Sequence, residues 1–446
     1  MADVDSTLAY IDQGSFLGLR ALGRGPLAQY GWIYEHPVDL DALRRFHRNL
    51  GRGLLGRRIE RSALPFGRDH WVAWTGPEEL DLADTPRPYE GILDWFDEQL
   101  RIPIDPQAGP SWRLAVQPLV EGGAAITLIA SHSICDGLGL TLAIEQAASG
   151  ETWDLGYPPP NSRTRGQALR EDAVEFVRSV PDFAKAIAAA ARLGKNSLGE
   201  VKSSAGRSTQ PSKIDDGALV TVPSMVAYFG EDQWQSRMES LGGTSNSLFA
   251  AIAAKLGQAF GRVDDKGMVR LQFPVSERTP GDTRANALSG MTVMIDPVGV
   301  TTSLRDVRAE LKRSLAALSE STFDLLGPVA LAPLIPARLA RGLEGMALGA
   351  GAPVGCSNLG KLGVEVNRPD GTDADYLLLR QIESRTTPAI LDHLGGTLFL
   401  ASGQVNGKVS VSVAAWRPGG PNSKELLTAP VLQIFAEFGL TPTKVL

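Results

Sequence analysis

"SHSICDGLGL", residues 131–140, follows the apolar run "AAITLIA" at 124–130. A short apolar run of this kind reads as a buried strand, and the polar letters after it mark where the chain leaves the core. "LGLTLAIEQAASG" (138–150) reads as an apolar helix that closes on Gly150 as its C-cap. The stretch is therefore a strand, a loop and a helix, with His132 at the strand end. Upstream, "SWRLAVQPLV" (111–120) and the turn "EGG" make a hairpin with that strand.

The chain has only five histidines in 446 residues. A strand end is rigid and opens on a surface or cleft, a common place for chemistry. A neutral histidine there can take a proton from an attacking hydroxyl or amine, because its ordinary pKa lies near operating pH. Asp136 can hold the loop in shape or orient the ring. Gly137 admits backbone angles closed to other residues and offers a bare N–H to a substrate oxygen. An ordinary structural turn accounts for the same letters, since Asp-Gly turns after strands are common.

The length suits two domains rather than one core. Hydrophobic residues at 43% and charged residues at 21% fit a soluble globular protein. A net charge of −6 and the lack of Lys or Arg runs argue against a nucleic-acid partner. The two cysteines, Cys135 and Cys356, give no disulfide framework, so the expected location is cytoplasmic. The N-terminus "MADVDSTLAY" has no signal-peptide pattern, and no stretch reaches eighteen consecutive apolar residues. The most apolar segment, 325–355, is broken by Pro328, Pro333 and Pro336 and by Arg338, Arg341 and Glu344. It reads as a buried helix and loop, or as a surface facing a membrane or an acyl chain.

Periodicity outlines two halves. Helices are expected at 39–50, with Asp39 or Asp41 as cap, and at 91–105. His47 shares the packed face of the first. Strands are expected after the turn in "GRGLLGRRIERSALPFG" (51–67) and at 69–74. "LGYPPPNSRTRG" (155–166) cannot be regular, and a helical run at 168–194, interrupted at Pro181, leads to the polar segment 202–217. The second half offers strands at 218–229, 267–280, 287–297, 397–407 and 408–416. Its helices fall at 231–243, 244–263, 304–318 and 424–439. The expected division is a first domain at 1–154, a linker with a helix at 155–217, and a second domain at 218–446. Both domains mix strands and helices and look loosely alike.

The loop resembles the H-H-x-x-x-D-G signature of the thioester-dependent acyltransferases. That superfamily includes condensation domains, polyketide-associated acyltransferases and wax ester/diacylglycerol acyltransferases. His132, Asp136 and Gly137 match, and Ser131 replaces the first histidine. "RGLLGR" (52–57) is similar to the family's R-H-E-x-L-R segment, through Arg52 and Arg57, and "GPSWRL" (109–114) to its G-P-x-x-R-x segment. "FPVSERTP" and "ANALSGMTVMI" (273–295) resemble the P-V-x-x-R and G-N segments, and "CSNLG" (356–360) the S-N-x-x-G element. The four occur in the family's order. No D-F-G-W-G element is present, which points to a stand-alone acyltransferase.

The resemblance implies an α/β fold with mixed sheets: two similar chloramphenicol-acetyltransferase-like lobes in a V around a central tunnel. It implies acyl transfer from acyl-CoA or an acyl-carrier protein to a hydroxyl or amine of a lipid-like or specialised-metabolite acceptor. His132 would be the general base. Gly137, helped by Asn358, would meet the oxyanion, with Ser357 beside it in the substrate site. Asp136 would brace the loop through Arg57, or else through Arg278. Solvated arginines at 52 and 57, a turn shaped by Ser357 and Asn358, and a helix-end role for His393 are the structural alternatives. Cys135 is expected to be inert. The scattered histidines predict no metal, and no cofactor is expected beyond the thioester substrate. A monomer is expected, with loose association at the inner membrane face left open. The alternative functions are amide formation by a stand-alone condensation enzyme, or an inert condensation-like module that recruits a partner enzyme.

Overall fold

A computed structural model describes residues 5–204, 217–336 and 352–446. The first half runs α1 (Tyr10–Leu22), β1 (Pro26–Tyr34), α2 (Leu40–Leu50), β2 (Arg57–Glu60), β3 (His70–Ala73), β4 (Asp81–Leu82), α3 (Ile92–Leu100), β5 (Trp112–Pro118), β6 (Ala124–Ser131) and α4 (Gly137–Ser149). A long helix, α5 (Arg165–Ser204), follows. The second half begins with β7 (Ser224–Gly230), α6 (Glu231–Ser240), α7 (Ser245–Ala259), β8 (Val269–Ser276), β9 (Leu288–Ile295) and α8 (Arg305–Leu326). It ends with β10 (Val354–Lys361), β11 (Tyr376–Glu383), α9 (Pro388–His393), β12 (Thr397–Val405), β13 (Lys408–Trp416), α10 (Lys424–Glu437) and β14 (Lys444–Val445).

Two mixed sheets organise the two lobes. The first has the order β11-β1-β6-β5-β4, the second β14-β7-β13-β12-β10-β8-β9, and β2 pairs separately with β3. The likeness of the halves is topological. β1 lies antiparallel against the hairpin β5–β6, and β7 lies in the same way against the hairpin β12–β13. All eight residues of β6, Thr127 and Ser131 among them, are buried, and the strand lies between β1 and β5, which explains its largely apolar run.

The lobes interlock. β11 belongs to the second half of the chain, yet it pairs antiparallel with β1, from Pro26 opposite Glu383 to Ile33 opposite Tyr376. The segment between β8 and β9, 277–287, reaches the first lobe, where Ala285 is buried in that lobe's core and its carbonyl accepts the Asp136 N–H at 2.8 Å. Boundaries drawn along the sequence at 154 and 217 thus follow chain order, while the first sheet takes its edge strand from beyond them.

Local chemistry sets the element ends. Asp39 caps α2 by accepting from the N–H groups of Asp41 and Ala42 at 2.8 and 3.0 Å. Gly150 ends α4 at φ 77°, where only glycine is unstrained. α5 continues through Pro181, where an interruption was expected. Pro181 and Val177 are exposed, so water can hydrate the Val177 carbonyl that proline leaves without a donor. α1, β1, β10 and β11, with the two-residue strands β4 and β14, were not read from the sequence. Gly14 and Gly18 weaken the helical signal of α1, and Asp12 and Gln13 are polar yet buried on it. Of the apolar segment 325–355, residues 337–351, with Arg338, Arg341 and Glu344, lie outside the described residues. Among the described residues no helix is long and apolar enough to cross a membrane.

Candidate active site

His132 stands where β6 ends. Its N–H donates to the Pro26 carbonyl at 3.1 Å, and the Ser131 N–H to Ser111 at 3.1 Å. The chain then turns tightly. The Ser131 hydroxyl accepts the Ser133 N–H at 3.3 Å, and the Ser131 carbonyl accepts the Ile134 N–H at 3.0 Å. Ser131, the residue in place of the signature's first histidine, is thus engaged in shaping the loop.

Asp136 is the N-cap of α4 and is buried. Its Oδ1 accepts the Gly139 N–H at 2.6 Å. Its Oδ2 accepts from Arg278 Nη2 at 2.9 Å and from the Ala287 N–H at 2.7 Å. The Asp136 N–H donates back to the Ala285 carbonyl at 2.8 Å. One carboxylate therefore caps a helix, pairs with an arginine and pins the 277–287 segment of the other lobe. Gly139 makes room for this arrangement, since a Cβ there would lie 2.9 Å from Arg278 Nη2 and 3.1 Å from Asp136 Oδ1.

Arg278, the second of the two arginines expected, is the partner of Asp136. The expected pair with Arg57 does not form. Arg57 is completely buried and donates to the carbonyls of Ile134, at 2.9 Å, and Thr283. Its guanidinium lies 4.5 Å from the centre of the Trp71 ring. Arg57 thus holds the same loop by its backbone, and Arg278 is nearer to Asp136 because the 277–287 segment folds back on itself. Arg278 Nη1 donates to the carbonyls of Asp282 and Arg284 within that segment.

Two further residues were missed by the sequence reading. Asp12, completely buried on α1, accepts from the N–H groups of Ala285 and Asn286 and from Asn286 Nδ2. Asn286 Nδ2 also donates to the His132 carbonyl at 3.0 Å. Burial pushes the Asp12 carboxyl up, and the charge of Arg57 and the amides of Asn286 and Ala285 pull it down. Asn286 lay within the quoted "ANALSG" segment. Asp12 carried no signal in sequence beyond being acidic beside apolar residues.

His132, Asp136, Gly137, Ser357 and Asn358 line one cavity of about 590 Å³ between the lobes. Burial pulls the His132 imidazole below its ordinary pKa of 6.5. The Asp136 charge, its own carbonyl and Asn286 offset this in part. The ring is therefore neutral near pH 7 and able to accept a proton. Gly137 is the first residue of α4, and its φ is not in the left-handed region, so the unusual angle expected of it is not used. What it contributes is its N–H, which has no acceptor among the described residues.

Ser357 and Asn358 lie within β10, opposite Ala401 and Ser402 of β12, and not in a turn. Asn358 Nδ2 donates to Asn246 Oδ1 at 2.6 Å, and its Oδ1 accepts the Gly360 N–H at 3.1 Å. One of its two amide N–H groups is occupied, whereas the Gly137 N–H has no acceptor among the described residues, which leaves Gly137 as the freer of the two expected oxyanion donors.

Cys135 is buried, and desolvation, reinforced by the Asp136 charge, pushes its thiol up to about 12. Native protein titrated with an aromatic disulfide reagent at pH 8 is expected to release no thiol promptly. Both Cys135 and the buried Cys356 should react only in denaturant. Prompt labelling of Cys135 would show that the loop opens.

Solved structures with this fold span the whole chain. The fold is that of condensation domains: the first condensation domain of the CDA synthetase aligns with a TM-score of 0.60 at 14% identity, covering 100% of this chain and 98% of that one. The first condensation domain of the calcium-dependent antibiotic synthetase in complex with substrate analogue 3a aligns with a TM-score of 0.60 at 16% identity, with the same coverage. Among individual proteins, polyketide synthase associated protein 5 from Mycobacterium tuberculosis has a TM-score of 0.55 at 14% identity, over 98% of this chain and 99% of that one. No protein-family model and no curated protein matches the chain. At these identities the likeness is one of fold.

Proposed function

We propose that this chain transfers an acyl group from a thioester, acyl-CoA or an acyl-carrier-protein arm, to the hydroxyl or amine of a lipid-like or specialised-metabolite acceptor. The observation that carries the reading is His132 on the wall of a large cavity between the lobes, its imidazole pulled below the ordinary histidine pKa by burial, just before a helix whose first N–H has no acceptor among the described residues. The acceptor oxygen or nitrogen attacks the thioester carbonyl carbon while His132 takes its proton. The carbonyl oxygen becomes an oxyanion, and the Gly137 N–H and the positive end of α4 lower its energy. Collapse breaks the C–S bond, and the protonated His132 returns the proton to the leaving thiolate. The products are an ester or amide and a free thiol. No acyl-enzyme forms, in keeping with Cys135 being held as a thiol.

The test is an assay of the purified full chain with acyl-CoA and carrier-bound donors of graded length against alcohols and amines, followed by mass spectrometry. Acylated product with stoichiometric thiol release is the expected result. No product from any donor, together with unchanged cell phenotype for His132→Ala, would favour the inert recruiting module instead. Ala352, Pro353 and Gly355, from the apolar stretch 325–355, line the cavity and support an acyl chain as its occupant.

A further inference from the structure

The two sides of α5 differ in chemistry. Every carboxylate on its stretch 165–188 is engaged. Asp172, which is buried, accepts from Ser62, Ala63 and Arg163 and is hydrogen-bonded to His70. Glu175 pairs with Arg68 at 2.9 Å, and Glu171 lies 3.6 Å from Arg163. Asp182 accepts from the Tyr10 hydroxyl at 3.3 Å and from Lys185 at 3.4 Å. Ser179, Phe183 and Ala186 are buried on the same inner side. The contacts of Asp172, Glu175 and Asp182 fix this stretch on the first lobe.

The outer side is apolar. Ala173, Val177, Val180, Ala184 and Ile187 follow one another at spacings of four and three, so they form one stripe along the helix, and all five are exposed. Val177 is 68% exposed and Ile187 59%. Val174, Pro181 and Ala188 lie beside the stripe and are exposed as well. From Ala173 to Ile187 the stripe extends about 21 Å, at ~1.5 Å per residue. A contiguous apolar surface of this kind marks a place of association.

Two observations choose the occupant. The free charges bordering the stripe are positive. Arg170 and Arg178 are exposed and form no ion pair among the described residues, and Lys185, 80% exposed, has only Asp182 at 3.4 Å. A covering surface is therefore negative, whereas a second copy of the stripe would bring free charge of the same sign. The second observation is Pro181, which removes the N–H that the Val177 carbonyl would accept in the middle of the stripe. A dry seam between two helices would bury that carbonyl without a donor, at a cost. The headgroup layer of a bilayer holds water and leaves it hydrated.

We propose that the outer face of α5 lies on an anionic lipid surface. Val177, Val180 and Ile187 enter the headgroup layer, and Arg170, Arg178 and Lys185 meet the lipid phosphates. The face is separate from the cavity between the lobes, and the proposal stands whether or not the chain transfers acyl groups.

Vesicle flotation of the full chain tests it. One set of vesicles is phosphatidylcholine alone, the other phosphatidylcholine and phosphatidylglycerol in equal parts. Wild type is expected to bind the anionic vesicles about a hundredfold more tightly, the worth of three cations near an anionic surface, and added salt should weaken that binding. The paired change Val177→Asp and Ile187→Asp should abolish flotation. Arg170→Gln with Arg178→Gln should remove most of the preference for the anionic lipid, and the matching lysine variants should keep it, because the surface reads charge rather than a guanidinium fork. All four positions are exposed, so unchanged thermal unfolding is expected for each variant. Equal binding of wild type to both vesicles, or binding to neither, overturns the proposal with no variant needed. Flotation that survives in the folded aspartate variant overturns the assignment to α5. A wild-type dimer in sedimentation equilibrium that the aspartate variant loses would give the stripe to a second copy instead.

Discussion

His132→Ala is expected to lower kcat/KM for acyl transfer by about 10²- to 10⁴-fold, the usual contribution of a general base. The native protein should nevertheless remain folded, because the elements around His132 are held by its backbone. Its N–H is bound to Pro26 and its carbonyl to Asn286. The pH dependence follows from the direction of the shift. The imidazole is held below 6.5, so the neutral base predominates at pH 7. The acid limb of kcat/KM for the wild type should therefore lie below 6.5, with a flat rate above it. The same shift predicts a stability effect that needs no substrate. Below pH 6.5 the unfolded chain binds a proton that the native ring resists, so wild-type stability falls as pH drops from 6.5 through the native value. His132→Ala should lose that component of the acid sensitivity. Urea denaturation at pH 5 and 7.5 measures it. A wild-type activity limb centred above 6.5, or an alanine variant retaining most of the rate, would remove His132 from the role of base.

The site divides into what is local and what depends on folding. His132, Asp136 and Gly137 sit within six residues, and the strand before them and helix after them have strong periodic signals, so their arrangement was legible. The partner of Asp136 was not. Arg57 and Arg278 lie on opposite sides of it in sequence, and spacing offers no means of ranking them. Arg278 is 142 residues away and reaches Asp136 because the segment between β8 and β9 crosses to the other lobe. Asp12 was invisible for the same reason, since its partners Ala285 and Asn286 are more than 270 residues distant. "CSNLG" misled in a different way. Its Ser, Asn and Gly have turn chemistry, yet pairing with β12 makes it a strand on the cavity wall.

Asp136→Ala is expected to cost about 3–5 kcal/mol of folding stability, the scale for breaking a buried ion pair from one side. The loss has three parts. Arg278, with 9% of its side chain exposed, would be left as an uncompensated cation. The Ala287 N–H would lose its acceptor, and α4 would lose the side-chain cap at Gly139. Asp136→Asn should be milder, because an amide oxygen can still accept from Gly139 or Ala287 while the charge is gone. The comparison separates a brace from a proton relay. Asp136 already receives three hydrogen bonds from Gly139, Arg278 and Ala287, which leaves it committed away from the imidazole. A brace predicts that Asp136→Asn loses stability and activity together, with the acid limb of the pH profile still set by His132. A relay predicts a stable Asn variant with a large drop in rate and a displaced limb. A double-mutant cycle with Arg278→Ala, read by urea denaturation, completes the argument. The two residues touch, so the double variant should be markedly more stable than the sum of the single losses implies. Strict additivity would mean that Asp136 holds the loop through its backbone contacts alone.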